Sequence, residues 1–480
     1  MKAKRILICN RGEIAIRVAK AARELGHVAV GFWTDSEPQA SHLEYCDEWI
    51  HLKGSSNAET YLNMDQILKV IRERGIDAVH PGYGFLSENT TFCKKLEDAK
   101  VIFIGPHPEA IYKMGDKAVS KQMAKEAGVP VVPGSTGEIE SAEEAAVVAK
   151  EIGYPVLLKA VAGGGGKGMR IVESEKDLSK NFDAVRREAQ SSFGNPGVLV
   201  EKFIVNPHHI EVQILADNKG NVFHCFEREC SIQRRHQKII EEAPSPFIGE
   251  DEDLRQKICS TAVKLAKAVN YNSAGTVEFI MGEDKSFYFL EMNTRIQVEH
   301  PITEQVTGVD LLTNMIQAAL GEPMDINSQE EIKINGHAIE CRVCSEDAVT
   351  MLPAPGQVNG FECTFPQGIR FDHCIYNGLE VKPDFDPMIG KLIGYGHNRA
   401  VVIRKVRGAL RGLVIEGIKT NVALHQVILA EESFQRGLYT TNYINEVQPQ
   451  EKVEELKSVE SLYKKALAIE INAIQERRGL

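Results

Sequence analysis

The sequence predicts a protein of several domains that combines α/β and α+β architecture. Its 480 residues suggest about three domains, because one domain usually has roughly 100–200 residues. In the first third of the chain, apolar strand-like segments alternate with helix-like segments, which indicates a parallel sheet covered by helices. After about residue 204, apolar and polar residues alternate within the strand-like segments, which is typical of antiparallel sheets.

The N-terminal α/β domain is predicted at about residues 1–113. The apolar segment RILICN precedes a stretch with helical spacing, GEIAIRVAKAARELG. The strand candidates HVAVGFWT, DAVHPGYG and VIFIG follow, with a helix around Tyr61–Arg74 after the first of them. The turn after RILICN reads NRGE instead of GxGxxG, so an NAD site is not expected.

The next domain is predicted at about residues 114–330 and includes a small module at about 131–203. A helix from Gly115 to Gly128 ends at GVPVVPGS, whose prolines and glycines mark a boundary or hinge. The module contains YPVLLKA, GGGGKG, MRIVES, a helix at Glu175–Ser191 and GVLVEKFI. Antiparallel strands are then expected at HIEVQILAD, NVFHCFERE, GTVEFIMG and SFYFLEMN, with helices at Leu254–Val269 and Asp310–Leu320.

The C-terminal domain is predicted at about residues 335–445 and is followed by a helical tail at 446–480. Strands are expected at HAIECRV, GQVNGFEC, GIRFDH and KLIGYG, with a helix near Ala400–Leu413. The tail is polar and rich in Lys and Glu, so we expect a docking segment that lies outside the core.

Composition and charge exclude several classes of protein. The formal net charge of −11 argues against a broad nucleic-acid surface. The N-terminal apolar run ILIC is too short for a signal peptide, and no stretch approaches the roughly 18 apolar residues of a transmembrane helix. We therefore expect a cytoplasmic protein with no nucleic-acid partner and no membrane partner.

The ten cysteines are expected to be free thiols, as in most cytosolic proteins. Cys341 and Cys344 form a CxxC pattern without a second pair. Two thiols on opposite faces of a strand are therefore favoured over a zinc site.

A glycine-rich segment, GGGGKG at Gly163–Gly168, leaves the backbone free to place N–H groups against phosphate oxygens. The Walker pattern is absent, so the segment is either a lid over a nucleotide or a plain linker. Lys159, at the end of an apolar strand, and Lys117 are candidates for phosphate contact, with surface lysines as the alternative.

Two successive strand candidates carry acidic and amide side chains. Glu278 lies in GTVEFI, whereas Glu291 and Asn293 share one face of SFYFLEMN, and the turn between the strands suggests that they pair. An all-oxygen set of this kind suits Mg²⁺, with a solvated hairpin face as the alternative.

The polar pattern continues at every second residue through Arg295, Gln297 and Glu299, which would line one wall if the chain stays extended. Arg295 could hold a carboxylate-like anion, with Glu299 beside it as a base. The segment QRRHQK places His236 and Lys238 on one side as an anion site, with an exposed basic loop as the alternative. His209, in NPHHIE, is ambiguous by itself.

Taken together, these residues resemble the biotin carboxylase family of ATP-grasp ligases. The resemblance extends to about residue 445, and its motifs occur in order as NRGEIAIR, HPGYGFLSEN, FIGP, MGDK, GGGGKG, NPHHIE, ERECSIQRRHQK, APSP, EMNTRIQVEHPITE, GHAIECR and GIKTN. It implies an N-terminal α/β pre-ATP-grasp domain, an ATP-grasp fold with a mobile lid and a C-terminal α+β biotin carboxylase domain. It also implies the reaction of ATP, bicarbonate and carrier-bound biotin through carboxyphosphate to ADP, phosphate and carboxybiotin.

The resemblance also implies ligands and partners. The implied ligands are ATP and Mg²⁺ or Mn²⁺, with biotin as a substrate on a carrier protein. The sequence has no Met-Lys-Met biotinylation site, and we expect it to end before any carboxyltransferase domain. The implied partners are therefore a biotin carboxyl carrier protein and carboxyltransferase subunits, with a homodimer as the implied assembly.

Site residues follow from the resemblance position by position. The implied ATP contacts are Lys117, Lys159, Gly165, Gly166, Glu201, Lys202, Phe203, Ile204, His209, Gln233, His236, Glu278 and Glu291. The implied metal ligands are Glu278, Glu291 and Asn293, and the implied bicarbonate contacts are Lys238, Arg295, Gln297 and Val298. Lys238, Arg295 and Glu299 are the implied catalytic residues: Glu299 is the base and Arg295 stabilises the biotin enolate. Arg342, with Arg295, would bind biotin, and Arg342 would also hold phosphate.

The sequence departs from the family pattern at two places. Lys167 stands where many members have Arg, which keeps the charge but loses the bidentate fork. After Arg342 the chain reads VCSEDAVT where the family usually has INAEDP. Two alternatives remain: another ATP-grasp ligase that forms an acyl phosphate, and a catalytically silent nucleotide-binding scaffold. The motifs RIQVEHP and QRRHQK argue against the first, and the intact acidic set argues against the second.

Overall fold

The computed structural model describes residues 2–161, 169–193, 195–235 and 237–455. Within these residues the chain divides into two compact units. The first unit combines the residues up to Met123 with His208–Glu278 and the described residues from Glu291 onward. The second unit combines Ala124–Pro207 with Phe279–Leu290.

The strands of the described residues are β1 (Arg5–Ile8), β2 (Val28–Thr34), β3 (Glu48–Leu52), β4 (Ala78–His80), β5 (Ile102–Phe103), β6 (Val156–Ala160), β7 (Met169–Val172), β8 (Val198–Lys202), β9 (His208–Ala216), β10 (Val222–Arg234), β11 (Gln237–Ala243), β12 (Ala274–Met281), β13 (Phe287–Asn293), β14 (His337–Cys344), β15 (Gly356–Gln357), β16 (Gly360–Cys363), β17 (Ile369–His373), β18 (Glu380–Val381), β19 (Met388–Gly396) and β20 (Leu413–Glu416).

The helices of the described residues are α1 (Gly12–Glu24), α2 (Met64–Arg74), α3 (Thr90–Asp98), α4 (Pro108–Gly115), α5 (Lys117–Glu126), α6 (Ala142–Ile152), α7 (Glu175–Phe193), α8 (Glu252–Ala268), α9 (His300–Thr307), α10 (Leu311–Leu320), α11 (Arg399–Arg411), α12 (Val422–Ile428), α13 (Glu432–Gln435) and α14 (Tyr443–Val447). Residues 449–455 are also helical.

The N-terminal sheet has five parallel strands in the order β3-β2-β1-β4-β5. Its central strands are almost wholly apolar because both faces of the sheet are covered. Ile6 and Ile8 pack with α1 on one face, whereas Leu7 packs with Phe32 and Ile67 on the other. The parallel sheet predicted for the first third of the chain is therefore confirmed.

The large sheet has eight strands in the order β13-β12-β9-β10-β11-β14-β19-β17. The pairs β9–β10, β10–β11, β11–β14, β14–β19 and β17–β19 are antiparallel. Helix α9 packs on this sheet through Ile302 and Val306, which contact Ala243, Ala338 and Ile393. The sheet joins strands that the sequence assigned to two different domains, because alternation identifies a strand but not its partner.

The second unit contains an antiparallel sheet in the order β7-β6-β8, covered by α6 and α7. Its core includes Val156, Leu158, Val185 and Val198. The Ser141 side chain caps α6 by accepting a hydrogen bond from the backbone N–H of Glu144. The predicted glycine-rich segment at Gly163–Gly168 lies outside the described residues.

The structure confirms the mixed α/β and α+β class and changes some element bounds. The helix expected from Tyr61 begins at Met64, because Asn63 caps it. Helix α4 (Pro108–Gly115) includes residue 113, the approximate end expected for the first domain, and that domain boundary stays a prediction. The expectation that the tail lies outside the core is wrong for Val453, which is buried with the C-terminal core residues. Among the described residues, no helix is long and apolar enough to span a membrane.

Candidate active site

The candidate site lies on one face of the eight-stranded sheet, where several polar side chains are buried together. His209 and Glu211 come from β9, Lys238 comes from β11 and Glu278 comes from β12. Because strand side chains alternate between faces, His209 and Glu211 point to the same side of β9. His209 Nε2 lies 2.9 Å from Glu278 Oε2. Burial alone would lower the pKa of His209, but the Glu278 carboxylate raises it above its usual value.

Lys238 is the central cation of this cluster. Its Nζ donates to Glu211 Oε2 at 2.5 Å, to Glu299 Oε1 at 2.6 Å and to Glu278 Oε1 at 3.1 Å. These three contacts use all three donors of an ammonium group. Burial alone would lower the pKa of Lys238, but the three carboxylates raise it well above its usual value. Lys238 is therefore a permanent positive charge at neutral pH.

Glu299 is the residue that precedes α9 and its carboxylate lies between two cations. One oxygen accepts from Lys238, and the other accepts from Arg342 Nη2 at 3.0 Å. Burial raises the pKa of Glu299, but Lys238, Arg342 and Arg228 together lower it well below its usual value. The carboxylate is therefore ionised at neutral pH, as a proton acceptor must be.

Arg342, on β14, also donates from Nε to Glu241 Oε1 on the neighbouring strand β11 at 2.5 Å. Burial raises the pKa of Glu241 to about 7, although Arg342 opposes the shift. The guanidinium thus bridges two buried acids, and its planar fork has the geometry that recognises carboxylate and phosphate.

The end of β13 and the loop that follows it bring further polar groups to Glu278. Asn293 Nδ2 and Gln297 Nε2 both donate to Glu278 Oε1 at 2.8 Å. The predicted polar wall required an extended chain, but β13 ends at Asn293, and a turn at residues 298–299 then leads into α9. The turn, and not strand periodicity, places Glu299 beside Lys238.

Arg295 is positioned by contacts on both sides. Its Nη2 donates to Asn293 Oδ1 at 2.9 Å, and its Nε donates to Glu88 Oε2 at 2.9 Å. The other oxygen of Glu88 accepts from the backbone N–H of Thr294 at 3.0 Å. Sequence reasoning did not single out Glu88, although it lies within the quoted motif HPGYGFLSEN.

The predicted metal ligands fit a divalent cation. Burial and the neighbouring Glu278 carboxylate raise the pKa of Glu291, so the two acids repel each other where no cation lies between them. Asn293 Oδ1 accepts from Arg295 and keeps a second lone pair for a ligand bond. A hard cation with oxygen ligands, Mg²⁺ or Mn²⁺, matches these donors.

Two other groups of potential metal ligands occur among the described residues: His209, Glu211 and Glu278, and Glu211, Cys230 and Glu299. Lys238 forms ion pairs with the glutamates of both groups. Neither group includes Cys341 or Cys344, which are free and buried in the described structure.

Arg228 is a fully buried residue that the sequence analysis missed. It donates to five side chains, at distances between 2.5 and 3.1 Å: Glu211, Gln213, Thr276, Gln297 and Thr303. It thereby connects Glu211, a partner of Lys238, to Gln297. A signal for such a residue was present in the sequence. Polar residues His209, Glu211 and Gln213 alternate along a buried strand, and buried polar side chains need buried hydrogen-bond partners.

Five of the predicted ATP contacts belong to the second unit: Lys159, Glu201, Lys202, Phe203 and Ile204. Lys159 Nζ donates to Glu201 Oε2 at 2.6 Å, so the anion that compensates this half-buried lysine is a neighbouring carboxylate. Lys202 Nζ donates to the backbone carbonyls of Gly153 at 2.9 Å and Tyr154 at 3.1 Å.

The other predicted residues are placed as follows. Gln233 is buried and pairs with Lys238 across β10 and β11. Lys117 is exposed at the start of α5. Val298 accepts a hydrogen bond from Lys391 through its backbone carbonyl. Gly165, Gly166, Lys167 and His236 lie outside the described residues.

Comparison with known families divides the chain into three matched segments. Residues 2–111 match the biotin carboxylase N-terminal domain, and residues 340–446 match the biotin carboxylase C-terminal domain. Residues 116–327 match the ATP-binding domain named after the carbamoyl-phosphate synthase L chain.

Individual relatives span nearly the whole chain. The biotin carboxylase of Nostoc sp. is 47% identical over 448 residues, covering 93% of this chain and 100% of that protein. The biotin carboxylase of Pseudomonas aeruginosa is 44% identical over 442 residues, covering 92% of this chain and 98% of that protein.

A solved structure agrees with these relatives. The biotin carboxylase domain dimer of 2-oxoglutarate carboxylase from Hydrogenobacter thermophilus was solved with MgADP, ADP and bicarbonate. It superposes with a TM-score of 0.82 at 45% identity, covering 93% of this chain and 98% of that one. On these similarities, the chain belongs to the biotin carboxylase family.

Proposed function

We propose that this protein carboxylates biotin on a carrier protein, using ATP and bicarbonate, and releases ADP and phosphate. The observation that carries the proposal is the Glu299 carboxylate held between Lys238 and Arg342. A base flanked by two cations is suited to a reaction in which an anion must bind and then lose a proton. Membership in the family and the bicarbonate-bound relative support the same reaction.

Bicarbonate would bind at Lys238, Arg295, Gln297 and the backbone of Val298. Lys238 and Arg295 supply the positive charge, and Gln297 supplies a neutral amide that is already oriented by Glu278 and Arg228. When bicarbonate accepts hydrogen bonds from Lys238, the contact between Lys238 and Glu299 weakens, and the pKa of Glu299 rises. Glu299 then becomes basic enough to accept the proton as bicarbonate attacks the γ-phosphate, which yields carboxyphosphate.

Glu278, Glu291 and Asn293 would hold Mg²⁺ or Mn²⁺, which neutralises charge on the ATP phosphates when bound. His209 and Gln233 remain proposed ATP contacts of the first unit, together with Lys117. Lys159, Glu201, Lys202, Phe203 and Ile204 remain proposed contacts of the second unit. Gly165, Gly166 and His236 also stay in the proposed set.

Biotin would bind at Arg342 and Arg295: the Arg295 guanidinium would stabilise the enolate oxygen of the ureido ring, and Arg342 would also hold phosphate. Its carrier and the carboxyltransferase are proposed partners, as components of an acyl-CoA or pyruvate carboxylase. A homodimer is the proposed assembly, and the dimeric relative from Hydrogenobacter thermophilus supports it.

The proposed base is tested by the substitution Glu299→Gln. We expect turnover to fall at least about a hundredfold, because the amide cannot accept the proton, while ATP binding stays within about threefold. ATP hydrolysis is measured with bicarbonate and free biotin together and with each omitted, and ATP binding is measured by calorimetry.

A matched control is Glu227→Gln, which neutralises another buried glutamate of the large sheet. Glu227 is paired with Arg255 at 3.0 Å and belongs to no part of the proposed site. Its variant should keep wild-type turnover. Wild-type turnover in Glu299→Gln would reject the base, and hydrolysis by the wild-type protein that does not depend on biotin would favour another ATP-grasp reaction.

A further inference from the structure

The role of Lys391 does not follow from the proposed mechanism. Its side chain lies in the middle of β19 and is fully buried, with 0% relative exposure. Burying an ammonium group is costly unless anions and hydrogen-bond acceptors compensate it. The contacts of Lys391 therefore indicate what its charge is used for.

Lys391 Nζ has two close partners. It donates to the backbone carbonyl of Val298 at 2.6 Å, and it lies 3.3 Å from Glu13 Oε2. The other oxygen of Glu13 accepts from the hydroxyl of Tyr83. Lys391 therefore links a carboxylate on α1 to the turn that carries Glu299.

The same turn is held at a second carbonyl. His300 Nδ1 lies 2.7 Å from the backbone oxygen of Gln297, which can only accept, so this nitrogen donates. Burial lowers the pKa of His300 well below its usual value, and Lys391 adds to the effect, so the ring is neutral. Two successive carbonyls, those of Gln297 and Val298, are thus each bound by a buried side chain.

These contacts fix the directions of the backbone N–H groups. In a planar trans peptide, the N–H points opposite to the carbonyl of the preceding residue. The bond from His300 therefore sets the direction of the Val298 N–H, and the bond from Lys391 sets that of the Glu299 N–H. A turn held in this way presents its groups to an anion without reorganisation.

We propose that Lys391 is a positioning residue for bicarbonate: it binds the Val298 carbonyl and thereby fixes the turn Gln297–Glu299. Lys391 does not touch a substrate. This inference rests on the proposed function, because it assigns bicarbonate to that turn.

The test separates positioning from charge balance. Lys391→Met keeps the length of the side chain but removes the bond to Val298 and leaves Glu13 without its cation. The double substitution Lys391→Met with Glu13→Gln removes the uncompensated acid but does not restore the bond. The melting temperature and the KM values for bicarbonate and ATP are measured for both.

In Lys391→Met we expect the melting temperature to fall and the KM for bicarbonate to rise at least about tenfold, with the KM for ATP within about twofold. The double variant should recover melting temperature but keep the raised KM for bicarbonate. Recovery of both quantities would show that Lys391 acts only through charge balance, and an unchanged KM in either folded variant would also overturn the inference.

Lys405→Met is the matched control. Lys405 Nζ likewise donates to a backbone carbonyl, that of Tyr395, at 2.9 Å, but Tyr395 belongs to no part of the proposed site. The KM for bicarbonate should not change in this variant. If the wild-type protein shows no hydrolysis that depends on bicarbonate and biotin, the proposed function fails. If the wild-type protein shows this hydrolysis and Lys391→Met has the same KM for bicarbonate, the proposed function stands and only the inference about Lys391 fails.

Discussion

At the scale of single residues, the site is an arrangement of buried charges that depend on one another. Lys238 compensates Glu211, Glu278 and Glu299, and Arg342 provides a second cation for Glu299. A buried acid that loses its cation is far more costly than an exposed one, because water does not replace the lost partner. Substitutions here should therefore change both stability and activity.

The substitution Arg228→Met tests this dependence of buried charges on their partners. The guanidinium is fully buried and is the ion-pair partner of Glu211 at 2.5 Å. Its removal leaves Glu211 and Gln297 short of donors, so we expect the free energy of unfolding to fall by about 3–5 kcal/mol. Urea denaturation measures the loss, and the KM for bicarbonate should rise because Gln297 loses its orientation.

The double substitution Arg228→Met with Glu211→Gln is the control for this prediction. Replacing both charges of a buried pair is less costly than removing one, so the double variant should be more stable than Arg228→Met. A double variant that is equally destabilised would show that packing of the arginine, and not the ion pair, determines stability.

At the scale of single elements, β11 matters because its two faces carry different charged groups. Glu241 faces Arg342 in the candidate site, whereas its neighbour Glu242 points to the opposite face. There Glu242 accepts from Arg399 Nε at 2.7 Å, lies 2.6 Å from His337 Nε2 and accepts from the Tyr439 hydroxyl. The bond to His337, which lies on β14, ties β11 to its neighbouring strand, and a slip of one residue would exchange the two faces.

The pH dependence of stability tests this role. Burial would raise the pKa of Glu242, but Arg399 and His337 lower it from 4.5 to about 2. Such a shift corresponds to roughly 3 kcal/mol of stabilisation. Because the folded pKa lies below the unfolded one, this contribution is fully present above about pH 5 and is lost as the pH falls toward about 2.

Glu242→Gln should therefore be less stable than the wild-type protein at neutral pH, and the difference should shrink below about pH 4.5. Urea unfolding measured from about pH 7 down to about pH 3 provides the comparison. A difference that stays constant over this range would mean that the Glu242 carboxylate has no lowered pKa in the folded protein.

At the scale of the whole molecule, the two units differ in size and in the residues proposed to bind nucleotide. The second unit is built mainly on a three-stranded sheet with a small core, whereas the first contains the five-stranded sheet and most of the eight-stranded sheet. A small core allows local opening at a lower free energy than a large one. Binding of a ligand should therefore be readily detected in the second unit by amide hydrogen exchange.

We expect MgADP to slow amide exchange in β6 (Val156–Ala160) and β8 (Val198–Lys202), because Lys159, Glu201 and Lys202 are proposed to bind the nucleotide. The short strands β16 (Gly360–Cys363) and β20 (Leu413–Glu416) carry no proposed contact and serve as the internal control. Unchanged exchange in β6 and β8 of an active protein would reject these contacts.

Much of the fold could be predicted because it depends on local periodicity. Apolar runs marked the buried parallel strands, and alternation marked the strands of the antiparallel sheets. The pairing of β12 with β13 was predictable for the same reason, since a short turn joins the strands and brings Asn293 to Glu278. Local patterns also led to Lys159, but not to its partner Glu201, which is 42 residues away.

The sequence by itself determined the family, the mixed fold class and the residue types of the candidate site, because motifs and strand periodicity are properties of neighbouring residues. Only the tertiary structure decided which charges meet. Glu88 reaches Arg295 across 207 residues, Glu241 reaches Arg342 across 101 and Lys391 reaches Val298 across 93. The physical reason is that periodicity shows which face of a strand a side chain occupies. Strand order and turns determine which other side chains lie close to it. The buried acids therefore find their cations only once the large sheet has formed.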